Sequence, residues 1–161
     1  MRRSCAMVRG LATGLLVVLL AAAGLASCGE EVFVLETGMY SKTTLSVTAD
    51  ACHLSRPVGD VDNGYGKLSV SDTQVTHTTT FNNEIFMRSG NGLSRTLMTD
   101  MVATGDCLLN VNIQDAGSVT AKDTVEMTHT ESHTYKSGNC TGVVGINCLS
   151  SFKFRLNRLG P

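Results

Sequence analysis

The 161-residue chain has no tryptophan, and one of its two prolines is the last residue, Pro161. Aromatic residues make up 5 % of it and charged residues 17 %. Nucleic-acid binding calls for a basic stripe and stacking rings. There is no basic stripe and aromatics are few, so that class of function is disfavoured. From Cys28 onward ten basic residues stand against fourteen acidic ones, a net charge of −4 that mainly serves solubility. No GxSxG elbow, HExxH, Walker loop or helix-opening GxGxxG occurs, so no motif points to an enzyme and a non-catalytic protein is expected. No CxxC or CxxxC pair exists, which argues against a structural zinc site. No helical apolar stripe of convincing length follows residue 28, which leaves strands as the building material.

The amino-terminal segment has a clear layout. Arg2, Arg3 and Arg9 precede an uncharged run from Leu11 to Ala26, LATGLLVVLLAAAGLA. A positive start, a short apolar run and small residues are the plan of a secretory signal. A spanning helix needs about 20 residues, so this run is short for a permanent membrane anchor. Ser4-Cys5-Ala6 after Arg2-Arg3 does not continue a twin-arginine motif, and the general secretory route is expected.

The run ends in Leu25-Ala26-Ser27-Cys28, which resembles the lipobox of bacterial lipoproteins: an aliphatic residue, two small residues, then cysteine. The resemblance implies removal of residues 1–27, diacylglyceryl transfer to the Cys28 thiol and acylation of the new amine. Two or three acyl chains make a stable anchor, where one alone binds marginally. The membrane is then the first partner, reached through lipid, and the chain is exported and held to the cell envelope. Gly29 after the cysteine favours the outer membrane by the enteric pattern. The alternative is a plain secretory signal, with Cys28 free or disulfide-bonded. The organisation expected is 1–27 signal peptide, 28–37 lipidated amino terminus and short linker, and 38–161 one β-domain.

With Cys28 lipidated, Cys52, Cys107, Cys140 and Cys148 remain, an even count that reads as a disulfide framework in an exported chain. Of three connectivities, Cys52–Cys107 with Cys140–Cys148 is favoured. The second pair would close a short loop containing Gly142, Gly145 and Asn147, and the first would cross-link a long one.

From Cys28 onward there are 18 Thr and 12 Ser. Thr- and Val-rich runs separated by Gly, Asn and Asp are strand chemistry. Predicted strands are Gly38–Thr48, Tyr65–Val70, Thr73–Phe81, Glu84–Arg88, Leu93–Met98, Cys107–Gln114, Val119–Ala121, Thr124–Tyr135 and a closing strand at Leu149–Leu156. Ser89-Gly90-Asn91-Gly92 marks a hairpin, and Ala116-Gly117-Ser118 is read as a break. Leu109, Val111 and Ile113 share one face of their strand, and Phe152, Phe154 and Leu156 share one face of theirs. Such half-buried alternation indicates antiparallel sheets. The fold class expected is all-β, an antiparallel meander of about eight or nine strands closed as a small barrel or a two-sheet sandwich. Gly38-Met39-Tyr40 weakly resembles the Gly-x-aromatic start of the first strand in lipocalin-like barrels. That likeness suggests shape and puts no ligand inside.

His129-Thr130-Glu131-Ser132-His133 is the sharpest constellation. Residues two apart on a strand point the same way, so His129, Glu131 and His133 share the face of Val125 and Met127. His77 shares that of Val75 and Phe81. Three imidazoles and a carboxylate on the inner side would suit zinc or copper, with no other cofactor expected. The competing reading is a wet strand end at a barrel mouth or a projecting ribbon. Met39, Met87, Met98, Met101 and Met127 are expected to fill core gaps. The function expected is a membrane-anchored binding or envelope component whose partner is a small ligand, a polysaccharide or an envelope protein. The alternatives are a metal-binding lipoprotein and an enzyme with an unrecognised site.

Overall fold

A computed structural model describes residues 31–80 and 83–161. The signal segment and Cys28 lie outside the described residues, as does Phe81.

Eight antiparallel strands form a closed barrel in sequence order: β1 Gly38–Asp50, β2 Val61–Val70, β3 Gln74–Thr78, β4 Asn83–Ser89, β5 Gly92–Thr104, β6 Cys107–Ala121, β7 Thr124–Ser137 and β8 Cys148–Gly160. The seam is made by β1 against β8, from Met39↔Gly160 to Asp50↔Ser150. The break read at Ala116-Gly117-Ser118 does not exist, because β6 runs through it unbroken. Gly117 is there for close approach. A Cβ at that position would collide with the Glu126 carbonyl and lie 2.5 Å from the Met127 sulfur. The hairpin between β4 and β5 is as expected, with Ser89 opposite Gly92 and Gly90 at φ 57°.

Alternation decides what fills the barrel. Leu68, Val75, Phe86, Leu93, Val119, Val125, Met127, Phe154 and Leu156 point inward and are buried. They leave a cavity of only about 10 Å³, lined by residues from six strands and bounded by Tyr65. That is about the space of a single water, so this half of the interior is solid.

Residues 31–37 cap this packed end rather than hang as a linker. Leu35 is buried in the core. The Asn91 side chain accepts from the Phe33 amide and donates to the Glu31 carbonyl, and Arg88 donates to the Phe33 carbonyl. The Glu36 amide donates to the Lys122 carbonyl in the β6–β7 turn. The caps therefore bind the two turns that close this end.

The disulfides differ from the favoured pairing: Cys52 joins Cys148 and Cys107 joins Cys140. Barrel closure is the reason. The β1–β8 seam carries Asp50 to Ser150, which sets Cys52 beside Cys148. The Leu108↔Ser137 pairing brings Cys107, at the start of β6, to the loop that follows β7. The methionine expectation fails in four of five cases. Met127 is buried, but Met39, Met87, Met98 and Met101 are exposed.

Candidate functional site

Above the apolar half, the inner wall turns polar. The register places His77 opposite Glu84, Arg95 opposite Asp115, and Asp115 opposite His129. The side chains follow that register in a continuous belt across β3 to β7. His77 Nδ1 lies 2.8 Å from Glu84 Oε2, and Arg95 Nη1 lies 2.6 Å from Glu84 Oε1. The Arg95 Nε donates to Asp115 Oδ2 at 2.7 Å, and Asp115 Oδ1 lies 2.7 Å from His129 Nδ1. Glu131 then sits between two imidazoles, 3.3 Å from His129 Nε2 and 2.6 Å from His133 Nε2. Lys42 hangs over the Phe154, Phe152 and Tyr65 rings at 4.4, 5.0 and 5.7 Å. It has a cation–π cage, and no salt bridge to it occurs among the described residues.

The electrostatics follow from this pairing. Burial works against a charged His129, but the hydrogen bonds and charges of Asp115 and Glu131 win and raise its pKa from 6.5 to about 9. Burial likewise works upward on Glu84, yet His77 and Arg95 hold it at about 2. The bond from His129, and then that from His133, lowers Glu131. Burial lowers the Lys42 ammonium, against the pull of Asp115, Asp62 and Glu84. Each of the three carboxylates, Glu84, Asp115 and Glu131, has two nitrogen partners in the belt. The belt is self-satisfied.

The sequence-derived set is thus placed as follows. His77, His129, Glu131 and His133 all face inward, as parity predicted, but they are strung along the belt. His77 gives its second nitrogen to the Tyr65 carbonyl at 2.8 Å and stacks on the Tyr65 ring. Both nitrogens of His129 are engaged as well. Sequence reasoning missed Glu84, Arg95, Asp115 and Lys42. Asp115 continues the inward series Leu109, Val111, Ile113, and Arg95 continues that of Leu93. A charge at an inward position was the available signal.

Gly66 makes room for the belt. Its φ is 138°, and a Cβ there would lie 2.6 Å from the Thr78 carbonyl and 2.7 Å from His77 Nε2. Gly66 lies within β2, next to Tyr65, whose ring stacks on His77.

The second distinctive region is β5. Its ladder with β4 ends at Ser94, while its ladder with β6 continues to Thr104. From Arg95 to Thr104 one edge therefore has no strand beside it among the described residues, and the Arg95–Glu84 ion pair spans the opening. Every residue from Thr96 to Val102 is exposed. Leu97 and Met101 lie on the inward-facing side of this extension, Met98 and Val102 on the outward side, with Met98 76 % exposed. The outer face of β5, β6 and β7 is also hollowed. A surface cleft of about 710 Å³ is lined by Met98, Asp100, Asn110, Asn112, Ser132 and Thr134, among others. The Asn112 Oδ1 is buried there without a hydrogen-bond partner.

Comparison with protein-family models, with curated proteins and with solved structures finds no match to this chain.

Proposed function

We propose that the chain is a lipid-anchored, extracytoplasmic, non-catalytic binding module that accepts an extended segment of another envelope protein onto the free edge of β5. The observation that carries this reading is that edge: a stretch of strand with an open backbone ladder and apolar side chains on both faces. Natural sheets guard edges with lysine, proline, short strands or covers, and a long bare one is a template for strand addition. Leu97, Met98, Met101 and Val102 bring apolar surface but no lysine, and flexible methionines suit a surface that must adapt to a partner. The apolar half of the interior is packed and leaves no room for a ligand, which directs binding to the outside. The belt supports the edge from behind, since the Arg95 bonds fix β5 where its second ladder ends. The lipobox-like Leu25-Ala26-Ser27-Cys28 supports the anchor.

The test places a photo-crosslinking amino acid at Met98 in cells producing the full chain, with Lys153 on β8 as a control position. The expected result is one discrete adduct from Met98, none from Lys153, and loss of that adduct in a Leu97→Lys/Met101→Lys background. Both substituted residues are exposed, so the fold is retained. An adduct of twice the chain's mass would mean self-pairing and overturn the reading, as would no adduct or one that survives the lysines. The anchor is tested separately by palmitate labelling, which Cys28→Ala should abolish.

A further inference from the structure

Beside the belt, at the mouth of the barrel, His133 meets the Cys52–Cys148 disulfide. One ligand atom from each of Cys52, His133 and Cys148 can be chosen so that all three lie within 4.8 Å of one another. We propose that reduction of this disulfide creates a binding site for a soft divalent or cuprous ion, held by two thiolates and one imidazole. Zinc is its natural probe class.

Three features carry the proposal. The first is the donor set. Two sulfurs and an imidazole are what zinc and copper(I) select. In tetrahedral zinc, bonds of about 2.3 Å to sulfur and 2.0 Å to nitrogen put ligand atoms roughly 3.5–3.8 Å apart. The three donors already lie within 4.8 Å of one another, so small side-chain rotations after the sulfurs part bring them to that spacing. The second is His133 itself. It is 7 % exposed, and its Nε2 is held by Glu131 at 2.6 Å. A carboxylate on one imidazole nitrogen orients the ring, raises its basicity and leaves the other nitrogen for a metal. The third is support for the sulfurs. The Cys52 amide donates to Ser150 Oγ, which in turn donates to Asp50. Cys148 heads β8, directly opposite His133. The donors therefore keep their places when the covalent link is gone.

The chemistry balances. An attacking dithiol delivers two electrons and two protons across the S–S bond and is itself oxidised to a disulfide. Metal binding then displaces both thiol protons to solvent. In the oxidised chain the sulfurs are bonded to each other and the site is closed. The Cys107–Cys140 bridge has no such neighbour among the described residues, so the two disulfides have different roles. This inference does not depend on the strand-addition reading.

The test is cobalt(II) titration of the full chain in detergent, before and after reduction by a phosphine. The reduced chain should bind one equivalent and show a thiolate-to-cobalt charge-transfer band that zinc abolishes, while the oxidised chain shows none. Cys107→Ser/Cys140→Ser should keep the band. Glu131→Gln should weaken binding by about 10–100-fold, the usual effect of losing a carboxylate behind a ligand, and His133→Ala should weaken it at least as much. Circular dichroism on the same samples establishes that each variant is folded. The proposal is overturned if the reduced chain gives no band, if the band survives Cys52→Ser/Cys148→Ser, or if His133→Ala leaves the affinity unchanged.

Discussion

Arg95 is the keystone of the inner belt, and replacing it by methionine separates charge from packing. The side chain is 12 % exposed and bridges Glu84 and Asp115. Its guanidinium also lies 5.2 Å from the Phe86 ring centre. Methionine keeps much of the aliphatic stem but removes the positive charge that Glu84 and Asp115 share. Breaking a buried ion pair from one side costs about 3–5 kcal/mol. The lower end applies here, because Asp115 keeps His129 and Glu84 keeps His77. An Arg95→Met loss of about 3 kcal/mol should lower Tm by roughly 10–15 °C in a domain of this size. Adding Glu84→Gln removes one of the two carboxylates left without Arg95, so the double variant should recover at least about half of the loss. Calorimetric unfolding at neutral pH with the disulfides intact measures both. If the double variant is as unstable as the single one, the charge argument fails and the loss belongs to the stacking on Phe86.

The belt also predicts a stability plateau in pH. His129 is raised from 6.5 to about 9, so its contribution is fully present below about pH 6.5 and fades as pH rises through 9. Glu84 is lowered from 4.5 to about 2, so its contribution is present above about pH 4.5 and fades as pH falls toward 2. Tm measured against pH should be flat between these limits, and His129→Gln should remove most of the alkaline slope. The disulfides close loops of unequal length, with sequence separations of 96 and 33. Chain entropy then assigns about 4–5 kcal/mol to Cys52–Cys148 and about 3–4 kcal/mol to Cys107–Cys140. Paired serine variants compared by denaturant unfolding should rank in that order.

Much of the fold was legible because a half-buried strand writes its inner face into every second residue. Val125, Met127, Phe152, Phe154 and Leu156 do so, and the same parity placed His77, His129 and His133 on the inside. What alternation cannot write is the neighbour across the ladder. The partners of those imidazoles, Asp115 and Glu84, lie on other strands, and their identity depends on register. The disulfides were misjudged for the same reason: local loop closure favours Cys140 with Cys148, but barrel closure puts Cys52 there instead. Gly117 was read as a break because glycine in a strand signals either a turn or a close approach, and only the position of Met127 decides between them. The exposed edge of β5 did leave a trace. Leu97-Met98 and Met101-Val102 are adjacent apolar pairs, which a strand with one wet face does not need.

The seam between β1 and β8 has a consequence in time. A chain synthesised from its amino terminus releases β1 first and β8 last. Until the final thirteen-residue strand emerges, β1 has only β2 beside it, and that pairing runs from Gly38 to Thr43. The remainder, Thr44 to Asp50, waits for its partner. Among the described residues the unfinished protein therefore carries three open strands, β1, β5 and β7, and the arrival of β8 retires the first and the last of them. Loss of residues 148–161 would leave it permanently in that state.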